Sequence, residues 1–84
     1  MSKNGTRLQW FFDKVDTAGI CWEWRAYRNR KGYGKFWDGK RWVMAHRWLF
    51  LQVRGCDLPP GWDVDHECRN RGCENIDHLR PLLH

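Results

Sequence analysis

Four residues separate Cys68 from Cys73, and four more separate Cys73 from His78. This spacing constrains the fold more than any other feature of the sequence. A chain of 84 residues buries only a thin core and often needs a staple. Three soft donors so placed can fold around one point, as tetrahedral zinc requires. The same stretch, from Val64 to Leu79, also holds Asp65-His66, Asn70 and Asn75. Cysteines could equally serve as disulfides. The start, Met1-Ser2-Lys3-Asn4-Gly5, is polar with no apolar run behind it, so no signal peptide is expected. No segment approaches the length of a membrane span. The expected setting is the cytoplasm, where thiols stay reduced and metal is favoured over disulfide. Zinc needs a fourth ligand, and Cys21 and Cys56 are both available; sequence distance slightly favours Cys56, the nearer to Cys68. His66 stands just outside the cluster. An unperturbed histidine titrates near neutrality, so it can take a proton from water at working pH.

Fifteen Lys and Arg face ten Asp and Glu, a formal charge of +5 with neutral histidines. Such a balance could belong to an ordinary solubilising surface. The basic residues cluster, however, at Arg25, Arg28, Arg30, Lys31, Lys35, Lys40, Arg41 and Arg47, with Arg69 and Arg71 inside the cysteine loop. Clustering favours a polyanion, and nucleic acid above others. Seven tryptophans in so short a chain could be stacking platforms for bases. Filling a small core is the favoured use for most of them.

Taken in order, the chain predicts one α+β domain over 1–84, with an N-terminal helix in 1–19 and a zinc-braced region over 20–84. Thr6 is a candidate cap. Leu8, Phe11, Phe12 and Val15 recur at helical spacing, and Thr17-Ala18-Gly19 ends the pattern. Cys21–Tyr27 and Tyr33–Trp37 read as strands. Asp38-Gly39 signals a hairpin completed by Lys40–Met44, a ribbon that could lie in a DNA groove or simply face solvent. Ala45–Arg54 reads as a helix closed by Gly55, with Ala45, Trp48, Leu49 and Val53 as its buried stripe and His46 in a structural role. Leu58-Pro59-Pro60-Gly61 is a turn into a short strand, Trp62–His66. Asp77–Arg80 is expected to begin a final helix or turn, with Pro81 restricting it.

Several of these residues together resemble the zinc-containing branch of the HNH, or His-Me finger, endonucleases, found in phages and introns. The residues that carry the likeness are Asp65-His66, Cys68, Asn70, Cys73, Asn75 and His78-Leu79. Upstream, Cys21-Trp22-Glu23-Trp24, Gly32-Tyr33-Gly34 and Ala45-His46-Arg47 match in the same order. The resemblance implies a small zinc-stapled ββα-metal fold with an added β-hairpin and N-terminal helix. It favours Cys21 over Cys56 as the fourth ligand, leaving Cys56 as a small buried or edge residue. A Cys3His set of Cys21, Cys68, Cys73 and His78 is closed, so such a zinc is structural. It further implies that His66 is the general base, that Asn75 pins the loop through backbone hydrogen bonds, and that a separate Mg or Mn ion steadies the phosphate. In the relatives, a metal-binding asparagine or histidine follows on a later helix that this sequence does not reach. Either His84 takes that place, or Asp65 and phosphate oxygens hold the ion, or the nuclease centre is incomplete. The implied activity is hydrolysis of DNA phosphodiester bonds, with a homodimer called for by any two-strand cut. The alternative is a catalytically incomplete zinc module that binds nucleic acid or a host protein.

Overall fold

Thr6 Oγ1 accepts a hydrogen bond from Gln9 N at 3.1 Å, and Gln9 Oε1 accepts one from Thr6 N at 3.0 Å. This reciprocal cap starts α1, Arg7–Phe12. The computed structural model describes residues 6–55 and 58–83. Cys56, expected as a small buried or edge residue, and His84, one candidate for the metal-binding place, lie outside them. The helix is shorter than the periodicity predicts. Val15–Asp16 form β1 instead, antiparallel to β2 at Glu23–Trp24. So short a helix has little strength of its own. It is held by Phe11, which is wholly buried, while Leu8 stays at the surface. Val15 leaves the helical face, pairs with Trp24 and packs beside the core.

β3, Lys35–Trp37, and β4, Trp42–Met44, form the expected hairpin, in register Lys35↔Met44, Phe36↔Val43 and Trp37↔Trp42. Its loop runs from Asp38 to Arg41. Asp38 Oδ1 accepts from Lys40 N at 2.8 Å and Arg41 N at 2.9 Å, which holds the Asp38 carboxyl below its usual range. Phe36 and Val43 face the core, and Lys35, Trp37, Trp42 and Met44 take the outer face, as strand alternation requires. Gly34 just before β3 is buried under Trp24, and a Cβ there would meet the indole Cδ1 at 2.7 Å.

α2, Ala45–Arg54, ends as expected at Gly55, whose φ of 82° suits glycine and whose N–H reaches Leu51 O at 2.8 Å. Its buried side is Ala45, His46, Leu49 and Phe50. Two members of the expected stripe are displaced: Trp48 is only half-buried and Val53 is exposed. The helix turns its first half toward β3, β4 and β5, so burial concentrates there and its far end is free.

β5, Trp62–His66, pairs antiparallel with β6, Leu79–Leu83, over its whole length, from Trp62↔Leu83 to His66↔Leu79. The expected final helix or turn is a single 3-10 turn at Ile76–His78, which passes straight into β6. Pro81 cannot extend a helix, and an outer strand tolerates its missing N–H. The three sheets among the described residues are each two-stranded. They meet on one core of Phe11, Trp24, Phe36, Ala45, Leu49, Phe50, Val64 and Leu79. Phe11 is its hub, with ring centroids 4.8 Å from Trp24, 5.2 Å from Phe36 and 5.3 Å from Trp48. Of the seven tryptophans, only Trp24 is fully buried. The expectation that most of them fill the core therefore fails: phenylalanines do that work, and Trp10, Trp37, Trp42 and Trp62 are exposed. No helix among the described residues is long and apolar enough to cross a membrane.

Candidate metal centre and histidine pocket

Cys21, Cys68, Cys73 and His78 bring their donor atoms within 4.8 Å of one another. The fold does this with backbone pairing. Glu23 and Cys73 form an antiparallel bridge, Trp24 N bonds Gly72 O at 2.8 Å and Glu74 N bonds Trp22 O at 2.6 Å. This lays the segment after Cys21 alongside the cysteine loop. Asn75 fixes the other side. Its Nδ2 donates to Ile20 O at 2.9 Å while its Oδ1 accepts from Asp77 N at 3.0 Å, capping the 3-10 turn that carries His78. Asn70 Nδ2 donates to Glu23 Oε2 at 2.6 Å, and Asn70 Oδ1 accepts from Gly72 N at 3.1 Å. Arg69 takes a positive φ of 64° at the bend between Cys68 and Asn70.

His78 Nδ1 lies 3.4 Å from Cys73 Sγ and 3.7 Å from Cys21 Sγ. Zinc bonds of about 2.3 Å to sulfur and 2.0–2.1 Å to nitrogen put tetrahedral N···S edges at about 3.5–3.6 Å. The donors therefore fit a metal ion such as zinc. Burial pushes the Cys73 thiol up to about 12, so a cation is needed to hold it as thiolate at neutral pH.

His66 ends β5 beside this cluster and is buried. Its Nε2 lies 3.0 Å from Cys73 O. A carbonyl only accepts, so Nε2 carries the proton and the neutral ring keeps its lone pair on Nδ1. Burial holds the ring below the usual histidine range, so it is neutral at pH 7. His46 lies against it, ring centroids 4.4 Å apart, and Tyr33 stacks on His46 at 5.5 Å. His46 Nε2 bonds Val64 O at 3.1 Å, and its Nδ1 is buried with no partner among the described residues. Burial, with His66 adjacent, pushes His46 down to about 4. A cleft opens beside this pair, bordered by Tyr33, Met44, His46, Asp63, Asp65 and Leu82. Asp65 pairs with Arg80 at 3.5 Å, and Arg80 also reaches Glu67 at 3.6 Å.

The expected basic residues differ in their surroundings. Arg28 turns inward: it donates to Trp24 O at 2.9 Å and Glu23 Oε1 at 3.2 Å, and its guanidinium lies against Gly72. Arg25 pairs with Asp16 at 3.0 Å and Arg47 with Asp63 at 3.2 Å. Arg30, Lys31, Lys40 and Arg41 are exposed, and Lys35 is half-buried. Arg71 lies over the Tyr33 ring at 5.1 Å. Two site residues escaped the sequence reading. The pocket position of His46 was signalled only by the Ala45-His46-Arg47 triplet. Glu74, wholly buried with both carboxylate oxygens unpartnered among the described residues, is pushed up to about 9 by burial, and nothing in its sequence surroundings marks it.

Residues 43–82 match the HNH endonuclease family. The uncharacterized gene 5.3 protein of Enterobacteria phage T3 is 41% identical over 61 residues, which cover 66% of this chain and 59% of the phage protein. Protein 7.7 and Protein 2.8 of Escherichia phage T7 are each 41% identical, over 70% and 79% of this chain and 45% and 44% of their own lengths. The chain thus spans about half the length of these curated relatives. No solved structure matches it. The matched stretch holds β5, the histidine at its end and three of the four clustered donors, with Cys21 supplied from outside it, and over that stretch the chain matches the HNH endonuclease family.

Proposed function

We propose that the chain is a metal-dependent DNA endonuclease, with His66 as general base and a structural zinc held by Cys21, Cys68, Cys73 and His78. The observation that carries this reading is the 3.0 Å bond from His66 Nε2 to Cys73 O. It ties the imidazole to the backbone of a zinc ligand and leaves Nδ1 free to accept a proton. Closed Cys3His coordination serves folding rather than chemistry. The base then takes one proton from a water at Nδ1. The water oxygen forms a bond to phosphorus, the bond from phosphorus to the leaving oxygen breaks, and that oxygen is protonated from solvent. Asp65, half-buried on the cleft wall, would hold a Mg or Mn ion in this reading. Such an ion supplies charge neutralisation at the phosphate and leaving oxygen. Asn75 is a positioning residue, acting on the zinc loop through Ile20 O and Asp77 N.

Nicking of supercoiled plasmid with Mg or Mn tests this reading. His66→Ala should lower the rate by roughly two to four orders of magnitude, the usual worth of such a base, with zinc content and DNA binding intact. The burial of His66 and the engagement of Asp65 by Arg80 favour a second reading, a zinc module that binds nucleic acid or a host protein without cutting. Wild-type protein with its zinc and bound DNA, yet no nicking under any divalent ion, would establish it.

A further inference from the structure

The outer face of the β3–β4 hairpin carries a second feature that neither the zinc nor the histidines use. Tyr27, Trp37 and Trp42 stand in line there, with ring centroids 5.7 Å apart for Tyr27–Trp42 and 5.6 Å for Trp37–Trp42. They are 60%, 44% and 54% exposed. Beside them opens a cleft of about 190 Å³, floored by Trp24 and Phe36 and flanked by Lys14 and Lys35. Trp10 forms another wall, and the Arg7 guanidinium lies 4.4 Å over its ring. No acidic residue among the described residues borders this cleft.

We propose that this cleft is a stacking subsite for an unpaired nucleobase of a single DNA strand, with Lys14 and Lys35 on the adjoining phosphates. A nucleotide joins a flat π-face to a negative charge, and the cleft offers the complement of both. Base–aromatic stacking tolerates any base, and cations beside the rings track the backbone. A peptide partner matched to the same wall would need acidic side chains against two lysines and an aromatic surface at once. Lys35 sits directly across from Met44, and Met44 borders the cleft containing Asp65 and His46. One rung of the hairpin therefore joins the aromatic cleft to the histidine pocket. This continuity rests on the nuclease reading; the stacking subsite itself does not.

The test is titration of the zinc-loaded protein with short oligothymidylate and with a duplex of equal length, in the absence of any added divalent ion. Without that ion the result is independent of cleavage. Tryptophan fluorescence should quench on binding the single strand. Trp42→Ala should weaken single-strand affinity about tenfold, the worth of one stacked base, and duplex affinity by much less. Lys35→Ala should also lower it and flatten its salt dependence. Trp42→Phe, which keeps a ring on the exposed site, should restore most of the binding. Equal single-strand affinity in wild type and Trp42→Ala would overturn the proposal. So would a wild type that prefers duplex. Loss of self-association in Trp42→Ala with unchanged oligonucleotide binding would also overturn it, and would assign the face to contacts between copies of this chain.

Discussion

Two imidazoles pack against each other, His46 bonded to Val64 O and His66 to Cys73 O, and they differ in the fate of the other nitrogen. His46 Nδ1 is sealed without a partner among the described residues, and burial holds the ring near 4. It is neutral in the folded protein at any pH where DNA enzymes work. In the unfolded chain it titrates near 6.5. Between those values the unfolded state binds the extra proton, so stability is complete above about pH 6.5 and falls as pH drops toward 4. At pH 5 the loss attributable to His46 is about 2 kcal/mol. Denaturant unfolding of wild type and His46→Phe at pH 7.5 and pH 5 measures it, because loss of zinc is common to both proteins. The stability difference between the two should move by about that amount in favour of the variant at low pH. A difference that does not change with pH would mean that His46 is protonated in the fold. Its position also shows where sequence reasoning stops. A lone histidine early in an amphipathic helix reads as surface or structure, and only the packing of α2 on β5 turns it against His66.

The elements that were legible are those with local punctuation. Gly55 closes α2, Asp38-Gly39 turns the hairpin, and Pro59-Pro60-Gly61 delivers β5 over the expected Trp62–His66. The four clustered donors were read from spacing together with the resemblance. β6 was not legible, because Leu79-Arg80-Pro81-Leu82-Leu83 has no alternation, and its strand character comes from pairing with β5. The length of α1 failed for the same reason: Val15 obeys a helical period but is claimed by Trp24. The segment before β2 makes the sharpest test. Cys21 lies far from the other donors in sequence and outside the family match, yet its sulfur is 3.7 Å from His78 Nδ1. Cys21→Ala should abolish stoichiometric zinc and unfold the domain, as a chelator should, because structural zinc binding is itself folding free energy. Metal analysis and circular dichroism check both. Full zinc content in the variant would instead move the fourth ligand to Cys56.

Across the whole molecule, charge is divided between holding the fold and facing solvent. Arg28 serves the fold, bonded to Trp24 O and Glu23, whereas Lys40 and Arg41 stand exposed at the hairpin loop. Arg41→Ala and Lys40→Ala should each weaken duplex DNA binding without sequence bias and reduce the slope against log salt by about one. Arg28→Ala should lower the melting temperature and leave that slope unchanged. Binding across a salt series and thermal melts separate the two. An unchanged melt with a reduced slope for Arg28→Ala would place that residue on phosphate. The metal cluster has a consequence in time as well as in space. Cys21 and His78 are 57 positions apart, so a ribosome releases the first donor long before the last. Until Cys68 follows it, Cys21 is a thiol without any of its three partners, open to oxidants and to stray ions. A metal that needs all four donors cannot seed this fold during synthesis; it would be the closing stitch, made only after His78 is in place.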